Sequence, residues 1–176
     1  LGKVPIVTDG EKVLVETGAM FEQLLETYAN GRLQPEAGTE AAWQYKYFMH
    51  YAEASLMPPL LIRLIMSKVR SAKMPFFIKP VAKGIADKTN KVFIGPMIKT
   101  HLDFVESHLA KNTWFLGDNL SAADIQMSFP LEASVARGSV GKNRPNITAR
   151  VKGVHARTAY RKGLEKGGEY DFIVYS

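Results

Sequence analysis

LGKVPIVTDGEKVLVETGAM, residues Leu1 to Met20, is the stretch around which the rest of the chain is organised. It predicts a β-hairpin that runs directly into a helix. An apolar run ends at Val7, Asp9-Gly10 is a strong two-residue turn signal, and Val13 to Val15 supplies the return strand. Thr17 suits an N-cap, and Phe21, Leu24, Leu25 and Tyr28 follow at i, i+3, i+4 and i+7 of one helix face. Pro5 stands at the start of a strand, where the ladder donor it lacks is least missed, and this leaves backbone groups of Val4 free to pair with an extended peptide. Glu16-Thr17 falls where the strand hands over to the helix. A helix N-terminus with an acid beside it can hold an α-carboxylate on backbone N–H groups and an α-ammonium on the side-chain carboxylate.

The composition is that of an ordinary globular protein, with 46% hydrophobic and 23% charged residues among 176. That length can bury a substantial core as one domain or two small ones. No apolar run approaches the roughly 18 residues of a membrane span, because the nearest, Leu56 to Met66, is broken by Pro58, Pro59 and Arg63. The chain has no cysteine, which excludes disulfides, a thiolate nucleophile of its own and sulfur-ligated metal, and which fits a reducing cytoplasm. His101 and His108 are spaced too widely for an i, i+4 metal pair, so no metal site is expected. The net charge of +6 is uneven: Arg63, Lys68, Arg70, Lys73, Lys79 and Lys83 form a run without an intervening acid, and a second basic cluster spans Arg137 to Lys166. Such charge suits an anionic ligand or a nucleic-acid surface, but no nucleic-acid motif or aromatic interleaving accompanies it, and solvated helix faces are expected instead.

Beyond the hairpin, Asn30-Gly31 ends the first helix, and Arg32 to Gly38, containing Pro35, is expected to be a linker. From Thr39 the chain has helical period. Trp43, Tyr47, His50, Ala54 and Met57 are predicted to share one face of a long helix, which Pro58-Pro59 should bend or end. Met74-Pro75 marks a break. A further helical region runs from about Phe77 to Lys111, interrupted near Gly95-Pro96, with Ile98, Leu102, Val105 and Leu109 as its apolar stripe. Leu120-Ser121-Ala122-Ala123-Asp124-Ile125 combines a capping box, Ser121 with Asp124, and a hydrophobic staple, Leu120 with Ile125. It should start a central core helix with Ile125, Phe129, Ala133 and Ala136 on one stripe and a kink at Pro130.

Gly2-Lys3-Val4-Pro5 followed by Glu16-Thr17-Gly18-Ala19 resembles the third strand, fourth strand and third helix of the glutathione-binding domain of glutathione transferases. Gly117-Asp118 with the Ser121–Asp124 box resembles the capping motif of that family's all-helical domain. His50-Tyr51-Ala52-Glu53-Ala54-Ser55-Leu56-Met57-Pro58-Pro59, Met127-Ser128-Phe129-Pro130-Leu131-Glu132-Ala133, Arg144-Pro145-Asn146-Ile147, His155-Ala156-Arg157 and Gly167-Gly168 are similar to segments of bacterial and fungal members. The resemblance implies an α/β plus all-α fold: residues 1–31 are the end of a thioredoxin-like glutathione-binding domain, 32–38 a linker and 39–176 an all-helical C-terminal domain. The chain opens with Leu1 inside a strand pattern, so a segment is expected upstream. By resemblance it would hold the first strand, first helix and second strand, with the catalytic Ser, Tyr or Cys.

Carried over by position, the resemblance implies a cis Val4-Pro5 bond. It puts the cysteinyl unit of glutathione on the backbone of Val4, the γ-glutamyl end on Glu16 and Thr17, and the glycyl carboxylate on Lys3. Thr17 stands where the family usually has Ser, keeping the hydroxyl and the backbone donor. Tyr47, His50 and Tyr51 become candidates for an electrophile pocket, and Ser121 and Asp124 are structural. The implied activity is attack of the glutathione thiolate on a small hydrophobic electrophile, or reduction of a peroxide or disulfide, with glutathione as cosubstrate and no cofactor. A homodimer is expected, with no nucleic-acid partner. The alternative is a non-catalytic transferase-like module used for binding or regulation.

Overall fold

The computed structural model describes residues 5–172; Lys3, Val4 and the Val4-Pro5 bond lie outside them. Two short strands, β1 (Val7–Asp9) and β2 (Lys12–Leu14), pair antiparallel with Val7 opposite Leu14 and Asp9 opposite Lys12. The register places the turn on Gly10-Glu11, one residue later than the expected Asp9-Gly10. Gly10 takes φ +59° while Glu11 stays at negative φ, a demand on the first central position that glycine meets without strain. Helix α1 (Thr17–Tyr28) follows, and its last residue donates from the Tyr28 hydroxyl to Asp9 Oδ1 at 2.6 Å, closing the hairpin onto the helix end. Past the C-cap Ala29, Asn30 and Gly31 take φ +50° and +78°, the left-handed exit that ends many helices.

The remainder is helical. α2 (Glu40–Tyr51) starts at Thr39, whose hydroxyl accepts from the Ala42 N–H at 3.2 Å. Of the two outcomes expected at Pro58-Pro59, a bend or an end, the helix does not end. A π-helical turn at Ala52–Leu56 carries α2 directly into α3 (Met57–Ser71), with the Met57 N–H reaching back to the Ala52 carbonyl. The wide turn suits a place where two successive N–H donors are missing. The same device recurs after α4 (Lys79–Thr89): a π turn at Asn90–Ile94 precedes Gly95-Pro96 and leads into α5 (Gly95–Leu109). A Cβ on Gly95 would sit 2.9 Å from the Asn90 carbonyl oxygen, so the tight side of this turn requires glycine.

α6 (Ala122–Ala136) is the central helix, with α1, α2, α3 and α7 (Pro145–His155) against it; α8 (Thr158–Gly167) packs on α7. The core gathers Phe48 from α2, Ala52 and Leu56 from the π turn, Leu60 from α3, Ile98, Leu102, Val105 and Leu109 from α5, Met127 and Leu131 from α6, and Ile147 and Val151 from α7. The α5 stripe is the one expected from the sequence. Two other stripes turn outward instead: Trp43 is 64% exposed and Tyr47 41%, while Phe129 of α6 is 44% exposed. The true inner face of α2 is Phe48, Met49, Tyr51 and Ala52.

The capping box is present, and its acid does more than cap. Asp124 Oδ2 accepts from the Ser121 N–H and hydroxyl, each at 2.8 Å, and Oδ1 accepts from the Phe115 N–H at 2.8 Å. Asp124 thereby ties the loop before the helix to the helix start. The next residue, Ala122, donates its N–H to the Leu33 carbonyl at 2.8 Å, joining the linker to α6. Arg144-Pro145-Asn146-Ile147 is likewise structural. Glu106 of α5 accepts from the Asn146 and Ile147 N–H groups at 3.0 and 2.9 Å, a carboxylate on the α7 N-terminus, and Arg144 pairs with Asp103 at 2.7 Å.

Candidate functional site

The strand-to-helix corner at Glu16 is the most unusual backbone position in the hairpin. Glu16 sits at φ +66°, ψ +114° and is itself the N-cap of α1, so Thr17 is the first helical residue and not the cap expected of it. A non-glycine residue held in such a sparsely populated positive-φ region stores of order 1–3 kcal/mol. The conformation turns the chain so that α1 starts with its N–H groups bare. Met20 N–H closes the first turn on the Glu16 carbonyl at 2.9 Å, and among the described residues no side chain caps the Thr17, Gly18 and Ala19 donors ahead of it. Gly18 has open space where a Cβ would stand, and Glu16 is exposed. Pro5, also exposed, leads into β1.

Two residues with no sequence signal join this corner from the helical domain. Glu53, in the π turn after α2, is exposed, yet its carboxyl is pushed above the ordinary range first by partial desolvation and then by the negative charge of Glu16. Gln126 of α6, itself buried, donates from Nε2 to Glu53 Oε1 at 3.3 Å, while its own Oε1 has no partner. The corner therefore offers bare helix N–H donors, suited to a carboxylate, with the like charges of Glu16 and Glu53 opposing each other nearby. This is the complement of an α-amino acid head group.

Tyr47, His50 and Tyr51 are brought together, but elsewhere. With Trp43, Lys46, Ala54 and Ser55 they line an open depression of about 320 Å³. At about 100° per residue, Tyr47 lies on the far side of α2 from Tyr45, which faces Glu22 of α1. The residues lining the depression all come from α2 and the π turn, and none of them is Glu16, Glu53 or Gln126. Tyr51 is buried and stacks on Tyr47 with ring centroids 5.4 Å apart, and its hydroxyl meets His101 Nδ1 at 2.7 Å. Burial raises the Tyr51 phenol and lowers the His101 imidazole; the phenol donates and the neutral ring accepts. His108 is occupied too, its Nε2–H donating to the Phe115 carbonyl at 2.9 Å. Among the described residues there is no group of three or more potential metal ligands, and no helix is long and apolar enough to cross a membrane.

Comparison with known proteins agrees with this architecture. Residues 73–157 match the family model described as glutathione S-transferase, C-terminal domain. The chain is 34% identical over 174 residues to glutathione S-transferase 1 of Saccharomyces cerevisiae, covering 94% of this chain and 74% of that protein. It is 29% identical to glutathione S-transferase 3 of Schizosaccharomyces pombe, covering all of this chain and 72% of the relative. A crystal structure of a glutathione S-transferase from Actinobacillus pleuropneumoniae superposes with a TM-score of 0.74 at 29% identity, covering 94% of this chain and 69% of the other.

Proposed function

The chain belongs to the glutathione S-transferase family, and from that premise we propose that it binds glutathione at the Glu16 corner and presents its thiolate to a small electrophile. The observation that carries the site is the strained, exposed Glu16 opening an uncapped α1. In this reading the α-carboxylate of the γ-glutamyl unit rests on the Thr17 and Gly18 N–H groups, and its ammonium lies between Glu16 and Glu53. By the family resemblance, the cysteinyl and glycyl units are assigned to Val4 and Lys3, which lie outside the described residues. These residues orient a cosubstrate that brings its own nucleophile, so their contribution is positional. A free thiol has pKa about 8.5, and lowering it by one to two units raises the reactive fraction roughly tenfold near neutral pH.

The Tyr47 depression shares no wall with that corner. The reading therefore moves the electrophile away from Tyr47, His50 and Tyr51 and gives the exposed aromatic face of Trp43, Tyr47 and Phe104 to a second copy in a homodimer. Location in a reducing cytoplasm is part of the same proposal, supported by a chain without cysteine.

Kinetics of the intact protein test the site. Glu16→Ala should raise the KM for glutathione at least tenfold with the far-ultraviolet circular dichroism unchanged. Glu16→Gly should lose as much affinity, yet melt no lower than Glu16→Ala despite the greater chain entropy of glycine, because glycine relieves the φ +66° strain. An unaltered KM in both variants would remove Glu16 from the binding site.

A further inference from the structure

From Lys68 to Ala86 the chain carries Lys68, Arg70, Lys73, Lys79 and Lys83 and no acid. The same stretch forms the tip of the α3–α4 helical hairpin. There the Ile78 and Lys79 N–H groups both donate to the Pro75 carbonyl, at 3.0 and 3.3 Å, so the connection is a hydrogen-bonded turn. Phe76, at 86% the most exposed large apolar side chain among the described residues, stands on that turn beside Phe77, 65% exposed. The two rings meet edge to face with centroids 5.6 Å apart. Ile78, Val81 and Ile85, all exposed, continue the apolar surface from the N-cap along α4 at i, i+3 and i+7, and Lys79 and Lys83 fall on another side of the helix. The first acid after the run, Asp87, is taken by Arg70 at 3.2 Å. Lys68, Lys73, Lys79 and Lys83 have no carboxylate partner among the described residues.

A contiguous apolar surface left in water marks a place of contact, and unpaired cations around it set the sign of what it meets. We propose that the α3–α4 tip docks the protein on an anionic lipid surface, with Phe76 and Phe77 entering the boundary between headgroups and acyl chains and the lysines resting among the lipid phosphates and carboxylates. The aromatic pair projects from a turn, so it fits a surface that yields around it. The unpaired cations of the run are all lysines, hydrated point charges suited to a diffuse negative field. Planar forks that read individual carboxylates on a protein partner belong to arginine, and the one arginine of the run is engaged by Asp87. Interfacial segments lie about 5–10 Å deep and need no helix long enough to span. The tip stands at the opposite end of the continuous α2–π–α3 helix from Trp43 and Tyr47, so docking leaves that aromatic face free.

Co-sedimentation of the full chain with vesicles tests the docking. Vesicles of phosphatidylcholine containing about one-third phosphatidylserine should bind at least tenfold more tightly than phosphatidylcholine alone. Each lysine near such a surface contributes about fivefold, so Lys73→Gln combined with Lys79→Gln and Lys83→Gln should weaken binding to the anionic vesicles at least tenfold. Phe76→Ser with Phe77→Ser should weaken it at least fivefold without lowering the melting temperature. In a Phe76→Trp variant the added fluorescence should be quenched by lipids brominated on their acyl chains. Equal affinity for the two kinds of vesicle, undiminished binding by the Phe76/Phe77 variant, or an unquenched Phe76→Trp variant would each overturn the proposal. Retention on an immobilised polyglutamate peptide without vesicle binding would overturn it too, and would give the tip to an acidic protein.

Discussion

The Tyr51–His101 contact shows how a single hydrogen bond sets a protonation state. The phenol can donate to Nδ1 only while the imidazole is neutral, and burial favours that form, lowering the His101 pKa in the folded chain. Below the ordinary histidine value of about 6.5 the unfolded chain takes up the proton first, so stability falls as the pH drops through the window between the unfolded and folded values. His101→Asn offers an amide oxygen to the Tyr51 hydroxyl without titrating. Urea midpoints measured from pH 7.5 to 5 should decline more steeply for the wild type than for this variant; parallel slopes would reject the assignment. At this scale the sequence was informative where chemistry is local. Glu16 and the Ser121–Asp124 box stood out because a strand end, a cap and a three-residue spacing are visible in one dimension. Glu53 and Gln126 did not, because they lie far along the chain: Glu53 feels the charge of Glu16, and Gln126 meets Glu53, only once the π turn and α6 are packed. Thr17 was misplaced by one position because the identity of a cap depends on φ, and nothing in the residue order announces that Glu16 adopts a positive one.

Among the helices, the two π turns account for the main differences between pattern and fold. Prolines at 58, 59 and 96 suggested breaks, since a missing N–H cannot serve an α-helical ladder. Widening the preceding turn keeps each helix continuous instead. The widening has a steric condition at Gly95, where a methyl group would press on the Asn90 carbonyl at 2.9 Å. Gly95→Ala should therefore cost about 1–3 kcal/mol, whereas Gly84→Ala, in the exposed middle of α4 with nothing within 4 Å, should stabilise by about 0.5–1 kcal/mol. Equilibrium denaturation of both variants checks the contrast in sign. The faces of α2 were harder to read than its length. Trp43, Tyr47, Phe48 and Tyr51 place aromatic rings on more than one side of the helix, so periodicity does not single out the inner one. The α5 stripe has no such competition on the opposite face, and it was placed correctly.

Over the whole molecule, the end of the described chain is fastened by a buried acid. Glu132 of α6 is 2% exposed, lies 3.1 Å from His155 Nε2 of α7 and accepts the Tyr170 hydroxyl from beyond α8. Tyr160 of α8 stacks on His155 with ring centroids 4.5 Å apart. Burial raises both phenols and the Glu132 charge raises them further, so they remain protonated. Tyr170→Phe removes a donor from that carboxylate and should cost about 1.5–3 kcal/mol, with faster proteolysis of the last residues. An unchanged urea midpoint would mean that the tail contributes no stability. Glu132 and His155 were visible only as letters in their motifs and Tyr170 in none; that the three meet depends on segments separated along the chain.

The bond from the Ala122 N–H to the Leu33 carbonyl has a consequence for movement. Leu33, at φ +65°, leans against the core, and its oxygen occupies the first donor of the central helix. A swing of the hairpin unit about this connection would strand a dry amide, so the junction behaves as a weld.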